Sequence, residues 1–216
     1  MEILFIGKKN DKNAEKASEY LKQIFPESEV ILVERGTAFQ NSIKYQSFDY
    51  IFSYLSPWII PKEILNKTRI ASINWHPGPP EYPGIGCTNF AIYNNEKQFG
   101  ITCHYMLPKV DTGDIISVKK FKILENDTVY TITQKCYALI LNSFYEIIEK
   151  ISLGESIPHS NEKWKRKPYT RKELDDLSRI DNEMDLEEIN KRIKSTTYEK
   201  PWAFVEIKGK KFYYKD

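Results

Sequence analysis

Asn74 and His76 stand two positions apart at the end of an apolar run, in the stretch SINWHPGPPEYPG over residues 72–84. In an extended segment, side chains at i and i+2 point to the same face, so an amide and an imidazole are offered together. Pro77 restricts the backbone just beyond them. A third group lies in VDTGDII, residues 110–116, where Asp111 precedes a Thr-Gly turn and Asp114 opens the next apolar run. Asp, Thr and Gly are common turn formers, so alone this stretch reads as a plain turn. Taken with Asn74 and His76, it supplies a carboxylate that can orient or charge an imidazole. An amide donor polarises a carbonyl oxygen, an imidazole takes a proton, and a carboxylate sets the imidazole. Such a set suits transfer of an acyl group to an amine, with Asn74, His76 and Asp111 as the candidate catalytic residues.

Other chemistries find less support. The chain has three histidines, His76, His104 and His159, and three cysteines, Cys87, Cys103 and Cys136. None of them has zinc-ligand spacing, so no metal site is expected. An odd cysteine count without pairing spacing reads as reduced thiols. Cys87 follows Gly86 at a possible helix start, where a thiolate is stabilised, although a small buried cysteine is the commoner case. The segment IGKKNDK has one glycine where a dinucleotide fingerprint has three, and no G-x-x-x-x-G-K-[ST] or G-x-S-x-G occurs. A dehydrogenase, a P-loop enzyme and a nucleophile-elbow hydrolase are therefore disfavoured.

The candidate groups need a scaffold, and the apolar pattern describes one. Residues 2–7 (EILFIG), 29–36, 49–56 and 70–76 read as strands, with a helix over 12–25 stopped by Pro26 and a short helix near 61–66. A helix over 86–95, strands over 100–107 and 114–123 and a long helix over 128–153 follow. Alternating strands and helices predict an α/β fold, a doubly wound and mostly parallel Rossmann-like sheet. In such sheets ligands bind beyond the carboxyl ends of the strands, so 57–60, 74–84 and 107–113 are expected to share one crevice. After about residue 155 the chain turns polar. Thr170 with Glu173 reads as a capping box, Asp185 can cap Leu186–Ile193, and 202–215 alternates around Lys208-Gly209 as a β-hairpin. The expected organisation is a catalytic core over 1–153 and a small helical and hairpin appendage over 154–216.

With 216 residues, 41% hydrophobic and 29% charged, the composition is that of a globular protein. A formal net charge of +2 gives no reason to expect a nucleic acid or membrane surface as partner. No apolar run approaches the roughly 20 residues that span a bilayer, and the start lacks the pattern of a signal peptide. A cytoplasmic protein is expected. The apolar face of 202–214, with Trp202, Phe204, Phe212 and Tyr214, is large for so short an appendage and predicts a homodimer.

The run NWHPGPPEYPGIG followed by GITCHYMLPKVDTGDII resembles the folate-dependent formyltransferase family, over most of residues 50–120. The resemblance implies N10-formyltetrahydrofolate as formyl donor and direct attack of a neutral amine on the formyl carbon. Asn74 would donate to the formyl oxygen, His76 would move the proton and stabilise the tetrahedral intermediate, and Asp111 would position both. LSPWIIPKEIL, residues 55–65, resembles the family segment whose backbone holds the pterin. Trp58, Ile59 and Ile60, with His104, Leu107, Val110 and Asp114, are then the expected cofactor-binding residues. Pro79, Tyr82, Gly84 and Gly86 are the expected substrate-binding ones.

Within the family, Gly7-Lys8-Lys9-Asn10 departs from the Gly-Ser-Asn phosphate loop of the glycinamide-ribonucleotide branch. The initiator methionyl-tRNA branch has a longer chain and a Leu-Leu-Pro pattern after its Asn-x-His. The form PGPPEYPG looks like the sugar N-formyltransferases, which implies an amino-deoxysugar linked to a nucleotide as acceptor. Lys and Arg of KWKRKPYTR, residues 163–171, then either meet a diphosphate or form a solvated charged face. The alternatives are a glycinamide-ribonucleotide-type or other amine formyltransferase and a non-catalytic binding module on this fold. A formyl hydrolase is a further one, although in this family such enzymes carry an added domain before the core, and this chain opens on its first strand.

Overall fold

Ile3, Leu4, Phe5 and Ile6 are all fully buried, as an interior strand covered on both faces requires, and they begin β1 (Ile3–Lys8). The structure, a computed structural model, describes residues 1–215, side chains of 41 and 44 aside. Helix α1 (Lys12–Ile24) starts at Asp11, whose carboxylate accepts from the Asn13 and Ala14 amides. Strand β2 (Glu29–Val33), a 3-10 turn over Asn41–Tyr45, strand β3 (Tyr50–Tyr54) and the short helix α2 (Lys62–Leu65) follow. Next come β4 (Ala71–His76), α3 (Cys87–Tyr93), β5 (Gln98–Tyr105), β6 (Ile115–Lys122) and α4 (Val129–Ser152).

The central sheet has six strands in the order β2-β1-β3-β4-β5-β6. β1 pairs in parallel with β2 and β3, and β3 with β4, while β5 is antiparallel to both β4 and β6. The α/β architecture is the expected one, with a single strand reversed within it.

Successive residues of each strand serve opposite faces. Phe5, Phe52, Ile73 and Trp75 meet α1 and α4, where Phe144 stacks edge-on against Phe5 and Phe52. Leu4, Ile6 and Ile51 meet Ile43, Ile60 and Ile64 on the other face. Asn74 and His76 alternate with Ile73 and Trp75 along β4, so they stand on that second face, beyond the reach of α4.

The chain beyond α4 returns to the core before it forms further elements. Residues 157–170 run as a strap without regular structure, and the Ser160 amide donates to the Ile115 carbonyl (3.0 Å). Thr170 and Glu173 form the expected capping box of α5 (Arg171–Ser178), and Asp185 caps α6 (Leu186–Thr196). The hairpin β8 (Phe204–Ile207) and β9 (Lys210–Tyr213) turns at Lys208 and Gly209, both at positive φ. A two-residue strand β7 (Arg179–Ile180), which no sequence pattern signals, pairs in parallel with β8. Among the described residues no helix is long and apolar enough to cross a membrane.

Candidate active site

Strand β4 delivers Asn74 and His76 to one face, and the antiparallel register sets His104 opposite Asn74 and Thr102 opposite His76. Because β5 runs against its neighbours, the turn after it leaves the sheet beside Ser72, whose carbonyl accepts from the Met106 amide (2.8 Å). That is not the end of the sheet that carries His76. The Asp-Thr-Gly turn reaches the imidazole by folding back over the face. The site therefore sits on the sheet face, where the doubly wound pattern had suggested a crevice beyond the strand ends. Two local features allow the fold-back. Asp111 takes a left-handed φ of 48°. A Cβ at Gly113 would stand 1.9 Å from the Tyr105 carbonyl oxygen, so only glycine passes there.

Asp111 ends up between two imidazoles. Its Oδ2 lies 3.2 Å from His76 Nδ1 and accepts from the Gly84 amide at 2.8 Å. Its Oδ1 lies 3.2 Å from His104 Nε2. All three side chains are 5% exposed or less. Burial by itself would raise the Asp111 carboxyl, but the two imidazoles and the Gly84 amide outweigh it and hold the group down at about 2. Asp111 is a carboxylate throughout the physiological range.

The remaining contacts limit where protons can sit. His76 Nε2 is 2.8 Å from the Tyr82 carbonyl oxygen, which only accepts. Both nitrogens of His76 thus face acceptors, and a neutral ring donates to one of them at a time. His104 Nδ1 is 2.8 Å from the Tyr105 carbonyl oxygen and donates to it. Its Nε2 has the Asn74 amide nitrogen at 3.0 Å on one side and Asp111 on the other. Unprotonated, that nitrogen accepts from Asn74; protonated, it donates to Asp111. Half-buried Asn74 is the member of the set that still meets solvent.

The proline-rich turn explains itself against His76. A Cβ at Gly78 would stand 2.6 Å from His76 Nε2 and 2.8 Å from the Tyr82 carbonyl oxygen. The Gly78 carbonyl accepts from the Thr102 hydroxyl (2.8 Å), which fixes the turn to β5. Gly84 has a φ of 89°, and a Cβ there would lie 2.4 Å from the Tyr169 carbonyl oxygen. Glycine at 84 therefore lets its amide reach Asp111 and lets the strap pass behind it.

The other expected binding residues fall into two groups. Ile59, Leu107 and Val110 are exposed at 69%, 52% and 43%, on the loops after β3 and β5. Trp58 is half-buried, donating its indole N–H to the Thr37 carbonyl (2.8 Å) and packing on Phe39, while Ile60 is buried against the second-face cluster. Asp114 is exposed, 3.8 Å from Lys163. Pro79 is buried within the turn. Tyr82 offers its carbonyl to His76, while its hydroxyl points away, donating to Glu96 (2.6 Å) and accepting from Asn94 (2.9 Å). Gly86 starts α3 against the Leu174 side chain. Cys87 is buried, and burial pushes its thiol up to about 12, which does not suit a nucleophile.

His104, expected in the cofactor cleft, stands inside the cluster with Asn74 and Asp111. Trp164 is a member that sequence reasoning missed. Its ring stands edge-on to His104 (5.1 Å between centroids) and to His76 (5.9 Å), and its indole N–H donates to the Gly113 carbonyl (2.8 Å).

The formyl transferase family model matches residues 3–146. The chain belongs to the formyl transferase family. A methionyl-tRNA formyltransferase of Borrelia garinii subsp. bavariensis is 34% identical over 170 residues, 78% of this chain and 52% of that protein. The chain spans about half the length, or less, of the curated relatives it matches first. Among solved structures, a sugar N-formyltransferase from Shewanella sp FDAARGOS_354 superposes with a TM-score of 0.77 at 18% identity, covering 99% of this chain and 96% of that one. The N-formyltransferase from Helicobacter canadensis, solved in complex with folinic acid and dTDP-3-aminofucose, gives 0.71 at 19% identity, covering 97% and 85%. At these identities the two structures speak for the fold. The chain shares that fold along nearly its whole length.

Proposed function

We propose that the protein transfers a formyl group from N10-formyltetrahydrofolate to the amino group of a nucleotide-linked amino-deoxysugar. The observation that carries the chemistry is the Asp111 carboxylate between His76 and His104, with Asn74 at the open side of the cluster. The amine attacks the formyl carbon, the bond from that carbon to N10 breaks, N10 takes a proton and the amine loses one. Asn74 donates to the oxygen on which negative charge develops. His76 receives the amine proton, and Asp111 holds the ring in orientation and stabilises the imidazolium. The pterin lies against the exposed apolar residues Ile59, Leu107 and Val110, with backbone groups of 107–111 on its edge.

The likeness over nearly the full length to sugar N-formyltransferases favours the sugar acceptor. The identity to methionyl-tRNA formyltransferases favours a second reading, in which the acceptor is an aminoacyl-tRNA, but this chain matches only about half of such a protein. The test is to incubate the protein with N10-formyltetrahydrofolate and a panel of nucleotide amino sugars, glycinamide ribonucleotide and initiator methionyl-tRNA, and to follow formyl addition by mass spectrometry. Addition to a nucleotide amino sugar is the expected result. Addition to the tRNA or the ribonucleotide alone would replace the acceptor, and addition to none would leave a binding module.

A homodimer belongs to the same reading. Trp202, Phe212 and Tyr214 are 60%, 54% and 41% exposed on the terminal hairpin, while Phe204 is buried beneath it. Light scattering at micromolar concentration should give twice the monomer mass.

A further inference from the structure

His76 on β4, His104 on β5 and Asp111 on the turn between β5 and β6 form one cluster, and none of the three side chains is more than 5% exposed. Their cover is the strap and the two turns that it ties down. The Lys165 amide donates to the Pro80 carbonyl (2.9 Å) and the Tyr169 amide to the Pro83 carbonyl (2.8 Å). Trp164 is the strap side chain turned inward, between the exposed Lys163 and Lys165. Its ring meets both imidazoles, at interplanar angles of 85° to His104 and 69° to His76. Its N–H donates to the carbonyl of Gly113, two residues after Asp111, so one side chain meets both imidazoles and the turn that carries the carboxylate.

We infer that Trp164 is a positioning residue that keeps water off the His76–Asp111–His104 cluster and thereby directs the formyl group to an amine instead of to water. The inference rests on the formyl-folate donor proposed above. A base that takes a proton from an amine also takes one from water. With water admitted, its oxygen adds to the formyl carbon and the carbon–N10 bond breaks. N10 takes a proton, and formate and tetrahydrofolate leave. No other reactant is needed, so only exclusion protects the donor. An apolar ring set against the imidazoles does this without competing for their hydrogen bonds.

The test uses the full chain as wild type, Trp164→Phe and Trp164→Ala, with N10-formyltetrahydrofolate and no acceptor, following tetrahydrofolate and formate release. Trp164→Ala should raise this release at least about tenfold, and Trp164→Phe, which keeps an aromatic ring and loses the N–H with part of the ring area, should stay within about threefold of wild type. A second readout needs no turnover. The chain has three histidines, so their side-chain signals are resolved by nitrogen-15 NMR. The ring N–H protons of His76 and His104 should be visible in the wild type and lost to exchange in Trp164→Ala, with His159 unaffected.

A folded Trp164→Ala that keeps those N–H signals and releases no more formate overturns the inference. So does a Trp164→Phe variant as leaky as the alanine one, because an aromatic ring at that place would then not be what keeps water out. If the alanine variant fails to fold, Trp164→Leu takes its place under the same two criteria. If the wild type neither binds nor cleaves N10-formyltetrahydrofolate, the donor reading falls by itself, and the exchange of the imidazole protons alone decides whether Trp164 excludes water.

Discussion

Asp111 Oδ2 and His76 Nδ1 are 3.2 Å apart, and their side chains are only 4% and 5% exposed. The carboxyl titrates at about 2 in the folded chain, below the ordinary 3.8, because the neighbouring imidazoles and the Gly84 amide outweigh its burial. A depressed carboxyl contributes stability that is complete above its unfolded value and is lost as pH falls through its folded value. The window is therefore about pH 4 down to about pH 2, and the contribution is about 2 kcal/mol at one pKa unit per 1.36 kcal/mol. Urea unfolding of the wild type and of Asp111→Asn at pH 5, 4, 3 and 2 checks this. Asp49, Asp127, Glu173 and Glu188 also sit below their ordinary values and act in both proteins. The difference between the two curves should shrink from pH 4 to pH 2, and a constant difference would mean that Asp111 is not ionised by its partners.

Gly78→Ala should cost activity more than stability, and some of both. The backbone at 78 is not in the left-handed region, but a methyl there would stand 2.6 Å from His76 Nε2 and 2.8 Å from the Tyr82 carbonyl oxygen. The imidazole must move, and a displacement of about 1 Å costs on the order of a hundredfold in a well-placed site. We expect kcat to fall at least about tenfold while the melting temperature drops by a few degrees. Thermal unfolding beside initial rates separates the two, and equal losses in both would make the turn merely structural.

The polar half of this site was readable because it is local. Asn74 and His76 share a face by period two, and the Asp-Thr-Gly turn announces itself by composition. Helix starts at Thr170 and Asp185 were readable for the same reason, since a cap and its partner lie three residues apart. The place of His104 beside Asn74 and Asp111 was not readable, because it depends on the reversal and register of β5, and no spacing within the chain states that. Trp164 was missed for a related reason. The run KWKRK shows charge, and its inward-facing tryptophan is defined by carbonyls at Pro80, Pro83 and Gly113, far away in sequence. The 3-10 turn at Asn41–Tyr45 and the two-residue β7 carry too few residues for any periodicity to show.

The three thiols should be silent in the native protein. Cys87, Cys103 and Cys136 are buried, and burial drives each thiol well above the ordinary range, Cys87 to about 12. Since the thiolate is the reactive form, a chromogenic disulfide at pH 8 should titrate less than about a tenth of the thiols in the folded chain and all three after denaturation. Rapid loss of one equivalent from the native protein, with activity lost in step, would reopen a role for Cys87 beside the Pro77 carbonyl.

His104 gives the sharpest test of the cluster, because two readings of it predict different numbers. As a residue that only lines a cofactor cleft, its loss would raise KM for the folate and leave kcat largely intact. In the structure its unprotonated Nε2 accepts from the Asn74 amide at 3.0 Å, so its loss should free the oxyanion donor. An oxyanion donor is worth about 10²–10³-fold and a general base about 10²–10⁴-fold in rate. With the acceptor that the panel identifies, Asn74→Ala and His76→Asn should each lower kcat at least about a hundredfold, with little change in KM. His104→Asn should fall in the same range as Asn74→Ala. The double variant Asn74→Ala/His104→Asn should lose scarcely more than either single one, because the imidazole acts through the amide that is already gone. Multiplying losses would mean that the two act independently. A kcat near wild type in His104→Asn would return that residue to the cleft, and one near wild type in His76→Asn would remove the proposed base while leaving the fold and family untouched.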